Sequence, residues 1–152
     1  MPNVDGSKLI ALLHGPNLNL LGQREVDIYG TTTEADLVAS VEKVAAVHGL
    51  SVEFTQSNHE GELVSVVHAA RGRVAGLIVN GGALSHYGWS LHDALAAFDG
   101  PVIEVHLSNT ARRERWRHDS VLTPVSNGAI TGLGLHGYEL ATIALVNILE
   151  NQ

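Results

Sequence analysis

Apolar and polar positions along the chain follow two alternating rhythms. Leu9-Ile10-Ala11-Leu12-Leu13 is a short apolar run and predicts a buried strand. Thr33 can cap a helix with Asp36 three positions on, after which Leu37, Val41, Val44 and His48 recur at helical spacing up to a stop at Gly49. Ser51 to Thr55 alternates as a strand does. A second helix then carries Leu63, Val67 and Ala70 on one face and stops at Gly72. Gly76-Leu77-Ile78-Val79 is an apolar strand, Ser90 to Phe98 a third helix, and Pro101 to His106 the next strand. A short Arg-rich helical segment follows around Arg112 to Arg117. Ala129 to Leu133 reads as the last strand and Tyr138 to Glu150 as a closing amphipathic helix.

Strands alternating with helices at this spacing imply βαβ units and a parallel sheet. Five of them predict an α/β fold with the flavodoxin-like doubly wound order 2-1-3-4-5. Residues 9–152 form a single domain on this reading. Residues 1–8 are a polar, flexible tail without the apolar centre of a signal peptide.

One stretch departs from both rhythms. Between Gly15-Pro16 and Thr33 runs a segment of about fifteen residues, long for a connection inside a compact domain. It holds Leu18, Leu20, Leu21 and Ile28, too many apolar groups for a solvated linker, together with Asn17, Arg24 and Tyr29. The expectation is a lid that closes over a site.

The polar clusters locate that site. His14 to Asn17, Gln56-Ser57-Asn58, Asn80-Gly81-Gly82 and His106 to Asn109 each follow the carboxyl end of a predicted strand. Ligands of open α/β sheets bind along that edge. Composition narrows the ligand. The chain has 152 residues, no cysteine and a formal charge of −7, so disulfides, thiolate metal sites and cysteine nucleophiles are excluded. An acidic chain lacks the basic face a nucleic acid needs, and no apolar run reaches membrane-spanning length. A cytoplasmic protein acting on a small molecule is the expectation, and no dedicated metal site is visible.

Glu104 and His106, two apart on a strand, share a face. A carboxylate beside imidazole fixes its tautomer and favours the protonated form that a general acid needs; a surface ion pair on an edge strand has the same signature. Leu107 and Ser108 precede a helical segment whose backbone N–H groups can bind a carboxylate. Tyr29 suits packing or, with Arg24 nearby, proton abstraction, since a neighbouring cation favours the phenolate. Arg113 and Arg117, four apart, are expected on one helix face, either toward ligand hydroxyls or toward solvent. His86 and Asp93 complete a polar pocket after the Asn80 turn. His14, His48, His68 and His92 read as structural or exposed. Gly132-Leu133-Gly134-Leu135-His136-Gly137 fits GxGxxG, but the dinucleotide fingerprint belongs on the first βα turn. Here it reads as tight strand–helix packing.

Assembled in order, these residues resemble the type II 3-dehydroquinate dehydratases from about Leu9 to Leu149. The motifs are Gly15-Pro16-Asn17-Leu18, Leu21-Gly22-Gln23-Arg24-Glu25 with Tyr29-Gly30, Gln56 to Leu63, Ile103 to Asn109, and Gly132-Leu133-Gly134 with Gly137-Tyr138. The resemblance implies a flavodoxin-like, cofactor-free homododecamer that eliminates water from 3-dehydroquinate through an enolate to give 3-dehydroshikimate. It implies Tyr29 as the base at C2 and Arg24 as stabiliser of that base and of the developing charge. Asn17 would hold the water that meets the enolate, and His106, oriented by Glu104, would be the acid for the departing hydroxyl. Asn80 with the Leu107 and Ser108 backbone would take the carboxylate, His86 and Arg117 the ring hydroxyls. Arg113 matches a further lid-side arginine, and Asp93 would reach in from a neighbouring subunit.

The chain departs from the family's usual pattern at His14 (asparagine), Val26 (proline), Gly81 (proline), His136 (glutamine) and along Ser85 to Asp93, where Tyr87 and Trp89 are bulky and His92 replaces arginine. Two other functions are compatible with the sequence: the same elimination on an amino-substituted dehydroquinate, and a non-catalytic ligand-binding paralogue. Its two lysines, Lys8 and Lys43, lie away from the clusters, which disfavours imine catalysis.

Overall fold

The apolar runs become the five strands of one parallel sheet in the computed structural model, which describes residues 7–152. The strands are β1 (Leu9–His14), β2 (Ser51–Gln56), β3 (Gly76–Asn80), β4 (Val102–His106) and β5 (Gly128–Thr131), in spatial order β2-β1-β3-β4-β5. Every pairing is parallel, so the expected doubly wound order is the observed one. Six residues of the expected tail, 1–6, lie outside the described residues. Its last two are hydrogen-bonded: Ser7 Oγ donates to the Arg73 carbonyl at 2.7 Å, and Ser51 N–H to the Lys8 carbonyl at 2.8 Å.

The period of two along each strand divides the core into two layers. Ile10 and Leu12 of β1, Ile78 of β3 and Ile103 and Val105 of β4 face α2 (Glu34–Val47) and α5 (Gly134–Glu150). Ala11, Leu13, Leu77, Val79 and Val102 face α3 (Glu60–Ala70) and α4 (Trp89–Ala96). α2 starts as its sequence predicts: Thr33 Oγ1 accepts from Asp36 N–H at 3.2 Å and Asp36 Oδ2 from Thr33 N–H at 2.9 Å, a complete capping box. Among the described residues no helix is long and apolar enough to cross a membrane.

Three boundaries differ from the periodic reading. The lid is not plain loop: it holds a 3-10 turn (Leu18–Leu20) and a one-turn helix, α1 (Val26–Tyr29). Leu18 and Leu21 anchor it in the α2/α5 layer, while Leu20, Val26 and Ile28 are exposed. The Arg-rich segment is two 3-10 turns, Thr110–Arg112 and Arg115–Arg117, separated by extended backbone at Arg113, so Arg113 and Arg117 do not share a helix face. The closing helix begins at Gly134, before Tyr138. The glycine run is the β5–α5 turn: Gly132 has φ +87°, and a Cβ there would stand 3.0 Å from Asn109 Cβ.

Candidate active site

A doubly wound sheet opens a crevice where adjacent strands send their connections to opposite faces. In this order that point lies between β1 and β3, and their exits come unusually close. Gly15 N–H donates to the Asn80 carbonyl at 2.8 Å, and a Cβ on Gly15 would lie only 2.1 Å from the Gly81 carbonyl oxygen. The cleft at this edge spans about 650 Å³, counting the part open to solvent. The lid contributes Asn17, Arg24 and Tyr29, the β3 exit Asn80 and His86, and the β4 exit His106, Leu107 and Ser108, with Arg113 and Arg117 completing it. Eleven of the twelve candidates expected from the sequence are thus at or directly behind one cleft.

Glu104 is the one behind. It is 1% exposed, and Oε2 receives the His106 Nε2 proton at 2.8 Å. Ser120 Oγ donates to the same oxygen at 2.5 Å and Thr123 Oγ1 to Oε1. Burial pushes the carboxyl up, but the bonds from His106, Ser120 and Thr123 outweigh it and hold Glu104 below its ordinary value. An ionised carboxylate only accepts, so His106 carries its inner proton on Nε2 and offers Nδ1 to a ligand. Ser120 and Thr123 carry no sequence signal, being hydroxyls in a loop. Leu122, fully buried between them, pins that loop to the core.

His86 stands beside His106, ring centroids 6.3 Å apart and planes 24° from parallel. Its Nδ1 lies 2.8 Å from the Asp119 carbonyl, which can only accept, so Nε2 is bare and can receive a ligand hydroxyl. Burial lowers the basicity of this ring, and the neighbouring His106 and Arg117 add to that against the Asp119 bond. Trp116 meets His86 edge-on at 5.4 Å, and the Arg117 guanidinium lies 3.9 Å over the indole.

On the lid side, Tyr29 lies between two guanidinium groups, Arg24 at 5.4 Å and Arg113 at 5.2 Å from its ring centre. Arg113 Nη1 donates to the Tyr29 hydroxyl at 2.9 Å and to Ser108 Oγ at 3.1 Å. Arg113 Nη2 is buried with no hydrogen-bond partner among the described residues. Arg24 is also paired with Glu25. Asn17 adopts a left-handed conformation, φ 69°, and its N–H donates to Asn58 Oδ1 at 3.0 Å. Leu107 sends its side chain into the α2/α5 core layer, so its backbone is what the cleft receives.

Two expectations change. Gln56-Ser57-Asn58 does not line the cleft: Gln56 Nε2 donates to the Gly15 carbonyl at 3.2 Å and to Asn58 Oδ1 at 3.0 Å, bracing the Asn17 turn from behind. Asp93 lies on α4 with its side chain 85% exposed and 3.0 Å from His92 Nδ1, outside the cleft of its own chain. α4 therefore does not complete the pocket from within one copy.

Comparison with known proteins identifies the family. The family model described as dehydroquinase class II matches residues 8–146. A 3-dehydroquinate dehydratase 2 of Pseudomonas putida is 49% identical over 144 residues, 95% of this chain and 97% of that one. A 3-dehydroquinate dehydratase of Herpetosiphon aurantiacus is 52% identical over 129 residues, 85% and 90% of the two chains. The crystal structure of type II dehydroquinase from Propionibacterium acnes superposes with a TM-score of 0.87 at 45% identity, covering 93% of this chain and 97% of that one. A family match and a superposition of this extent lead to one conclusion: the chain belongs to the class II dehydroquinase family.

Proposed function

We propose that the chain is a 3-dehydroquinate dehydratase, a hydro-lyase that removes water from 3-dehydroquinate by trans elimination through an enolate. The observation that carries this reading is that Tyr29, flanked by Arg24 and Arg113, and His106, backed by Glu104, line the same cleft. Abstraction of a proton beside a ketone needs a base and a stabiliser for the enolate, and loss of hydroxide needs an acid.

The Tyr29 oxygen takes the C2 proton, with positive charge from both arginines beside it. The electron pair moves onto the ketone oxygen, where Asn17 holds the water that meets the enolate. As the enolate collapses, the C1–oxygen bond breaks and His106 gives a proton from Nδ1 to the departing hydroxyl, while Glu104 compensates the imidazolium charge. The ring's carboxylate sits on Asn80 and the Leu107 and Ser108 backbone, its hydroxyls on His86 and Arg117. The hydroxyl leaves as water with the His106 proton, and Tyr29 gives up the C2 proton as His106 is reprotonated, so the net loss is one water with no redox partner.

Assembly belongs to the same proposal. Asp93 is exposed on the same α4 segment that Tyr87 and Trp89 open, both exposed at 57% and 63%. A surface of this kind suits contact between copies, through which Asp93 would enter a neighbour's cleft in a homododecamer. A cytoplasmic location is read from composition. The test is the ultraviolet absorbance of the conjugated enone formed from 3-dehydroquinate. Rapid turnover is expected; binding without turnover, or turnover only of an amino-substituted analogue, would overturn the reading.

A further inference from the structure

The same alternation that builds the α2/α5 core layer ends in two polar residues. On β1 the column Ile10, Leu12 finishes at His14, and on β3 Ile78 is followed on the same face by Asn80. Both are buried, at 0% and 3% exposure, beneath Tyr138 of α5, itself at 0%. Buried polar groups are costly unless each finds a partner, and here each does. His14 Nδ1 lies 2.8 Å from Glu34 Oε2, His14 Nε2 lies 2.9 Å from the Tyr138 hydroxyl, and Asn80 Nδ2 donates to that hydroxyl at 2.9 Å. Asn80 Oδ1 accepts from Gly82 N–H at 3.0 Å.

The direction of every bond in this chain follows from its two ends, Gly82 and Glu34. Gly82 N–H can only donate, so the Asn80 oxygen faces it and the Asn80 NH2 faces Tyr138. That NH2 can only donate, so the Tyr138 oxygen accepts from it and sends its own proton to His14 Nε2. Nε2 must then be bare, and the ring's proton sits on Nδ1, toward the Glu34 carboxylate. The outer end agrees with the inner one, since the Glu34 carboxylate accepts. Burial raises the Tyr138 hydroxyl well above the ordinary phenol value, which keeps it a donor.

We propose that His14 is a positioning residue for the substrate-binding amide of Asn80. Held by Glu34 with its proton on Nδ1, it takes the Tyr138 proton and so turns the acceptor side of that hydroxyl to the amide of Asn80, a residue of the cleft wall. A ring protonated on Nε2 would leave the buried Tyr138 proton without an acceptor and release the hydroxyl from this orientation. This rests on the reading that Asn80 meets the substrate carboxylate. The device acts on binding and not on proton transfer, because neither Tyr29 nor His106 belongs to it.

Neutron diffraction from deuterium-exchanged crystals of the full chain reads the relay without reference to activity. A deuteron on His14 Nδ1, none on Nε2, and the Tyr138 deuteron directed at His14 are expected; a deuteron on Nε2 overturns the proposal. Steady-state kinetics with 3-dehydroquinate read its consequence. Tyr138→Phe keeps the ring and removes the hydroxyl, and should raise KM about five- to tenfold, the scale of one hydrogen bond, with kcat within about threefold of wild type. Glu34→Ala frees the His14 tautomer and should raise KM about threefold, with deuteron density appearing on Nε2. Glu34 lies near the surface, its side chain 18% exposed, so this variant tests the relay even where Tyr138→Phe does not fold. A folded variant with unchanged KM, or a loss confined to kcat, overturns the proposal. Absence of wild-type turnover would instead overturn the functional reading, and the deuteron positions would still decide the relay.

Discussion

The Tyr29 hydroxyl accepts a hydrogen bond from Arg113 Nη1 at 2.9 Å, a contact between residues 84 positions apart. It ties the lid to the segment after β4, so the proposed base is positioned from both banks of the cleft. Arg113→Ala should therefore lower kcat by about a hundredfold, the scale of a lost donor at a developing charge. Arg113→Lys should recover little, because an ammonium cannot lie over the Tyr29 ring as a planar guanidinium does while donating to Tyr29 and Ser108. Rapid kinetics at saturating substrate check this; near wild-type kcat for the lysine variant would show that the guanidinium does not position Tyr29.

Tyr29→Phe and His106→Ala should each reduce kcat by about a hundredfold or more, the usual scale of positioned acid–base assistance. Their effects should not multiply in the double variant, because both act on one elimination. Binding of substrate, followed by calorimetry, should survive in Tyr29→Phe. A wild-type rate in either single variant would refute that residue's role.

Glu104 links stability to pH. Its folded value lies below that of a free glutamate, so its contribution is fully present above about pH 5 and is lost as pH falls through the lower folded value. Glu104→Gln places an amide where three donors converge, and should lower the melting temperature by several degrees at pH 7, about 2–4 °C per kcal/mol for a chain of this size. The gap between wild type and variant should narrow below about pH 4. Thermal melts across that range measure it, and a gap independent of pH would mean Glu104 is not ionised in the folded state.

Gly15→Ala should be among the more damaging single-methyl additions in the chain. Its Cβ would meet backbone, the Gly81 carbonyl, at 2.1 Å, and backbone cannot rotate away as a side chain can. A cost of about 1–3 kcal/mol or more is expected, with loss of substrate affinity because the β1 and β3 exits separate. Gly61→Ala, on α3 with nothing within 4 Å of the new methyl, is the control and should be neutral or stabilising by up to about 1 kcal/mol. Equal melting temperatures for the two variants would contradict the close approach at the cleft.

Much of this molecule is legible without coordinates because the information is short-range. The Thr33–Asp36 capping box, the helical spacing of Leu37 and Val41, the alternation that divides Ile10 from Ala11 and the polar residues closing each strand all depend on neighbours within a few positions. Strand count and alternation with helices then limit the sheet to few orders, and 2-1-3-4-5 follows. Asn17, Asn80 and His106 were recognisable as cleft residues because they sit at strand ends, where a parallel sheet must expose its ligand edge.

What needed the folded chain is every relationship set by packing between distant segments. Ser120 and Thr123 saturate Glu104 only because Leu122 is buried beneath them. Gln56 and Asn58 brace a turn although their position at a strand end resembles that of the cleft residues. Arg113 parts from Arg117 because one extended residue interrupts the expected helix, and His14 reaches Asn80 through a tyrosine 124 positions away. Periodicity tells which face a side chain takes. Which partner waits on that face depends on how two layers of helices close over the sheet, and that long-range contact is what gathers a row of polar strand ends into one cleft with the proposed base and acid.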